Sequence, residues 1–133
     1  GAKIFSNKIT DVAQSAIVLY GSAEDLEPFV PDNCKVEKNT IDNANIQGSF
    51  GICNSAITIS AKQFVSDDLS YHGDNVTVRE NHISNSGDYS IAVNMYNNAV
   101  IIDNIISNGN CRSNKDDDIL IINSVADVRD NGG

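Results

Sequence analysis

The sequence predicts an all-β fold in which short parallel strands coil into a solenoid of between four and five turns. Three observations carry this: a short phrase that recurs along the chain, a composition dominated by isoleucine and asparagine, and uneven spacing between the copies. The phrase is an aliphatic residue, two free positions, asparagine, one free position and isoleucine. It appears as Ile4, Asn7, Ile9; Val36, Asn39, Ile41; Val78, Asn81, Ile83; Ile101, Asn104, Ile106; and as a half copy, Val128 and Asn131. Isoleucine favours half-buried strands, and asparagine favours corners and tolerates left-handed backbone. Asn7, Asn39, Asn81, Asn104 and Asn131 are therefore expected to stack at one corner as an amide ladder, each side chain donating and accepting along the coil axis.

The asparagines lie 32 (7 to 39), 42 (39 to 81), 23 (81 to 104) and 27 (104 to 131) residues apart. Helical repeats hold a constant length, whereas a β-coil keeps its strands and accepts insertions at its corners. The 23-residue interval is the bare coil. Its first strand runs from Val76 to Glu80, Asn81 turns into a short strand around Ile83, and the turn formers Asn85, Ser86, Gly87 and Asp88 follow. A third strand, Ser90 to Asn94, ends at the turn Asn97-Asn98. In the second coil Gly48-Ser49-Phe50-Gly51-Ile52 resembles Gly87-Asp88-Tyr89-Ser90-Ile91, which puts the third strand there. The third strands of the first and fourth coils fall at 14–19 and 118–122. Extra residues then form insertions at 21–33 and 54–74, after third strands, and at 109–117, before one. No segment has a helical stripe long enough for a βαβ crossover.

The 133 residues are read as a single domain and a segment of a longer solenoid, because the pattern begins and ends on a bare strand. A net charge of -9 argues against nucleic acid and anionic membrane as partners, since both need a positive face. No stretch is apolar enough to span a bilayer as a helix. Cys34, Cys53 and Cys111 have no metal-ligand spacing and read as small buried apolar groups.

The run Ile83-Ser84-Asn85-Ser86-Gly87, Ile91-Ala92-Val93, Asn97-Asn98 and Val100 to Ile106 resembles the right-handed parallel β-helix, or pectate-lyase-like, superfamily. The resemblance covers nearly the whole chain outside the two long insertions. It implies a right-handed parallel β-helix and an extracellular polysaccharide-active protein: a secreted lyase, a glycoside hydrolase, or a tailspike on a virion surface. Such tailspikes are trimers, so a homo-oligomer or further coils of a parent protein are implied partners. The superfamily's polygalacturonase-type members carry an Asp-Asp coil, a Gly-His-Gly one coil later, and an Arg-Ile-Lys. Here Asp67-Asp68 is followed after three residues by His72-Gly73, and Arg-Ile-Lys is missing.

Candidate chemistry sits in the insertions, expected to rise side by side and wall a groove. Asp67, Asp68 and Asp74 are the candidate acid and base, with Glu27, Lys62, Tyr71 and His72 as substrate-binding groups. Glu24, Asp25 and Asp32 add carboxylates; solvated loop charge is the simpler account of them all. On the outer side of the first strand, Glu37 and Arg79 are equivalent, as are Lys38 and Glu80. The second column continues as Asp103 and Asp130; these with Glu80 would hold any calcium ion, repulsion relieved by solvent is the simpler account of them, and the sequence calls for no other cofactor. Lys115-Asp116-Asp117-Asp118 lacks the ligand spacing of a calcium loop and reads as a solvated acidic turn. The expected function is binding or degradation of polysaccharide; the alternative is a non-catalytic structural or carbohydrate-binding shaft of a fibre or adhesin.

Overall fold

A computed structural model describes residues 1–21, 30–48, 54–61 and 72–133. Among these the chain forms thirteen strands in three parallel sheets. The first sheet holds β1 (Lys3–Phe5), β4 (Cys34–Glu37), β7 (Val76–Arg79), β10 (Ala99–Ile102) and β13 (Ala126–Arg129). The second holds β2 (Lys8–Thr10), β5 (Thr40–Asp42), β8 (His82–Ser84) and β11 (Ile105–Ser107), and the third β3 (Ile17–Tyr20), β6 (Ser55–Ser60), β9 (Tyr89–Asn94) and β12 (Ile119–Ile122). Strands repeat in the order first, second, third sheet, so the molecule is a parallel β-helix of four coils plus the opening strand of a fifth.

Register stacks like on like. Ile4, Val36, Val78, Ile101 and Val128 form one inward column, and Ile9, Ile41, Ile83 and Ile106 form another. Ile17, Ile57, Ile91 and Ile119 form a third. In the two middle coils these side chains are fully buried, with Ile41, Ile57, Val78, Ile83 and Ile91 at 0 % exposure. A β-branched side chain on a pleated strand has one preferred rotamer, so identical residues nest without a large entropic cost. Coil 4 departs from polar outward positions. Val100, Ile102, Ile105 and Ile122 point out where coil 3 has Thr77, Arg79, His82 and Asn94.

The asparagine column closes the first corner of every coil. Asn81 Oδ1 accepts from the backbone nitrogen and the Nδ2 of Asn39, both at 3.0 Å. Its own Nδ2 donates to Val36 O and to Asn104 Oδ1, both at 2.9 Å. Asn39 and Asn104 repeat the pattern with their neighbours, so the ladder runs unbroken from Asn7 to Asn131. The residue before each asparagine is left-handed: Ser6, Lys38, Glu80, Asp103 and Asp130 have φ of 59°, 57°, 56°, 57° and 58°. That conformation costs about 1–2 kcal/mol per residue outside glycine, which the paired amides offset.

Two expectations need correction. The third strand of the second coil is β6 at Ser55–Ser60, within the stretch 54–74 read as insertion. Ile57, not Ile52, pairs with Ile91, so the insertion begins beyond Ser60. The two glycines that suggested the alignment do different work. Gly48 turns at φ 86° with open space around it, while a side chain at Gly87 would overlap Asn45 O and the Arg112 guanidinium. Cys34 is buried as expected, Cys53 lies outside the described residues, and Cys111 is exposed at the start of the last insertion.

The ladder makes a graded prediction. Asn81→Ala leaves four buried partners short of a bond, at about 1–3 kcal/mol each, and is expected to cost at least about 3 kcal/mol in urea unfolding. Asn7→Ala, at the solvated end of the column, is expected to cost about 1 kcal/mol. Equal losses at the two positions would contradict the ladder.

Candidate functional site

The residues with the most chemistry meet at the third corner, where the chain leaves the third sheet and re-enters the first. Both long insertions return to the coil here. Asp74 N donates to Asp32 Oδ1 at 2.8 Å, Asn33 N donates to Asp74 O at 2.9 Å, and Asn97 Nδ2 donates to Asp74 Oδ1 at 2.9 Å. Beside this column runs a second, in which Asn75 Nδ2 donates to Asn33 Oδ1 at 3.0 Å and Asn98 Nδ2 to Asn75 Oδ1 at 2.9 Å. Asp32, Asp74 and Asn97 are exposed, so a row of carboxylates and amides faces solvent at the strand repeat of about 4.8 Å.

Tyr96 anchors the corner from within. It is fully buried, its hydroxyl donates to Pro31 O at 2.7 Å, and its backbone nitrogen donates to Ser124 Oγ at 3.0 Å. Gly73 packs flat on the ring, where any side chain would collide with it. His72 Nε2 lies 3.1 Å from Asn123 O, which fixes a proton on that nitrogen because a carbonyl only accepts. Between His72, Tyr96, Asn97, Asn123, Ser124 and Val125 opens a groove of about 220 Å³.

Of the sequence-predicted site residues, His72 and Asp74 stand at this corner, joined by Asp32. Asp67, Asp68, Glu27, Lys62 and Tyr71 lie outside the described residues, as do Glu24 and Asp25. Tyr96 and Asn123 gave no sequence signal, and Asn97 was legible only as half of the turn Asn97-Asn98 that ends a third strand.

The outward charge columns form the expected pairs. Arg79 Nε is 3.4 Å from Glu37 Oε1, and Lys38 Nζ is 4.0 Å from Glu80 Oε2. Two of the stacked acids have cations beside them: Arg79 reaches Glu80 at 3.8 Å, and Arg129 reaches Asp130 at 3.3 Å and also its neighbour Asp127 at 3.1 Å. Among the described residues no group of three or more His, Cys, Asp or Glu is arranged to hold a metal ion.

The 109–117 segment is fastened to the coil through its two cations, while the acids of the run Lys115 to Asp118 are solvated as expected of an acidic turn. Lys115 pairs with the buried Asp88 and lies 4.8 Å over the Tyr89 ring, although Asp116, Asp117 and Asp118 are exposed. Arg112 reaches back to coil 2, donating to Ala44 O at 2.7 Å and Asn43 Oδ1 at 3.1 Å.

Burial, with smaller contributions from Cys34 and Asp32, pushes the Tyr96 phenol above its ordinary value. The fold therefore holds a proton that the unfolded chain releases from about pH 10. The stabilisation is complete below that pH and declines as pH rises above it. Tyr96→Phe is expected to flatten this alkaline decline and to cost about 1 kcal/mol at neutral pH through loss of the bond to Pro31. Matching alkaline limbs for the two proteins in thermal melts would contradict the assignment.

The chain finds no match among protein-family models, curated proteins or solved structures, and its fold rests on the strand register described above.

Proposed function

We propose that the chain is a segment of an extracellular, pectate-lyase-like β-helix that binds polysaccharide along its third corner. One observation carries the reading: the exposed row Asp32, Asp74 and Asn97 runs beside the groove lined by His72, Asn97 and Asn123. A glycan is a chain of hydroxyl-bearing units, recognised by many polar groups of fixed spacing, and a parallel ladder supplies such groups once per coil. Cross-bonding of the side chains immobilises them, so less ordering entropy is lost on binding.

Cleavage is the second reading. Asp32 and Asp74 stand on adjacent rungs and are both exposed, so two carboxylates share one face, as glycoside cleavage needs. One oxygen of each already accepts a structural hydrogen bond, which favours binding over turnover.

The test is a panel of bacterial capsule, O-antigen and plant polysaccharides, scored for binding and for release of reducing ends. Binding to at least one member is expected, weakened at least about tenfold by Asp74→Asn with the fold intact by circular dichroism. Release lost in that variant would establish cleavage at this corner. Failure to bind any member would leave a structural shaft as the better account.

A further inference from the structure

Five of the chain's nine Lys and Arg residues lie on one face, the outer side of the first sheet and its adjoining corner. Their distribution along the axis is polar. In the first two rungs Lys3, Lys35 and Lys38 outnumber Glu37, leaving +2. In the third rung Arg79 and Glu80 cancel. In the fourth and fifth rungs Asp103, Asp127 and Asp130 outnumber Arg129, leaving -2. Apolar groups are interspersed at both ends: Phe5 is 50 % exposed in the first rung, and Val100 and Ile102 are half-buried in the fourth.

We propose that this face is a self-association surface for a second copy of the chain, packed side by side and antiparallel. A two-fold axis through the third rung brings the first rung of one copy against the fifth of the other, and the second against the fourth. Each Lys38 then meets the partner's fourth rung at the same corner position, where Asp103 lies, and each Phe5 meets the fifth, where Arg129 offers a cation to the ring. The same contact is made twice, as an isologous interface requires. Parallel packing would instead set lysine on lysine and aspartate on aspartate. In a chain of net charge -9, a face with balanced and opposed ends is the region where two copies attract.

Size limits the strength. Five strands about 4.8 Å apart and four residues at about 3.3 Å each outline roughly 250 Å². That is well under the about 800 Å² per partner of a stable complex. The dimer is therefore weak and electrostatic.

Sedimentation equilibrium over a protein concentration series tests it. The full chain is expected to form a concentration-dependent dimer at about 0.01 M salt that dissociates at about 1 M, where the screening length falls from about 30 to 3 Å. Lys38→Glu or Asp103→Lys alone is expected to weaken the dimer at least about tenfold, and the double reversal Lys38→Glu with Asp103→Lys to restore it. Each variant's circular dichroism spectrum confirms folding. A monomer at every concentration, a species larger than a dimer, or a double variant no better than the singles would overturn the proposal.

Discussion

Everything in this molecule depends on the buried amide column at the first corner. A parallel β-helix must reverse its backbone within a residue or two at each bend, and it does so here with a left-handed residue that is never glycine. That choice is costly, and it leaves a backbone nitrogen and a carbonyl facing the interior. The next asparagine supplies both missing partners, Oδ1 to the nitrogen and Nδ2 to the carbonyl. Bend and bond form together, and neither is stable alone. The ladder also sets register: a slip by one residue would bury the left-handed charged residue and expose the asparagine.

Register in turn gives the surface its order. Because every side chain sits above its equivalent, outward residues become columns, and chemistry is written along the axis. Glu37 on Arg79, Lys38 on Glu80, and Asn33, Asn75 and Asn98 in file are one consequence. The groove beside His72 is another, since it opens where the second insertion returns beside the third-corner turns of the next two coils. The opposed charges of the first sheet are a third. Rigidity of the coil is what lets exposed, weakly interacting groups act as a surface.

The legible part of the sequence was the part that repeats in register. The asparagine phrase, the inward Ile and Val columns and the Glu37–Arg79 pair all follow from aligning copies, because alignment in a solenoid is adjacency in space. Alignment misled in the second coil. The turn formers around Gly48 resemble those around Gly87, yet five residues separate Ile52 from the true partner of Ile91. The correct signal was the alternation in Ser55–Ser60, where Ile57 and Ile59 face the core between polar neighbours. Contacts that skip rungs were not legible. Arg112 reaching Asn43 and the Tyr96 hydroxyl reaching Pro31 depend on where loops fold back, and no local pattern encodes that. At the candidate site, Asp74 and His72 were legible as insertion residues, but their neighbours Tyr96 and Asn123 were not.

The most direct test of the ladder is a double-mutant cycle in equilibrium unfolding on Asn81 and Asn104, whose side chains meet at 2.9 Å. If the amides act as one column, the two alanine substitutions share partners. Their combined cost should then fall short of the sum of the single costs by about 1–3 kcal/mol. Additivity to within about 0.5 kcal/mol would mean that each asparagine serves only its own corner, and that the column does not hold the coils together.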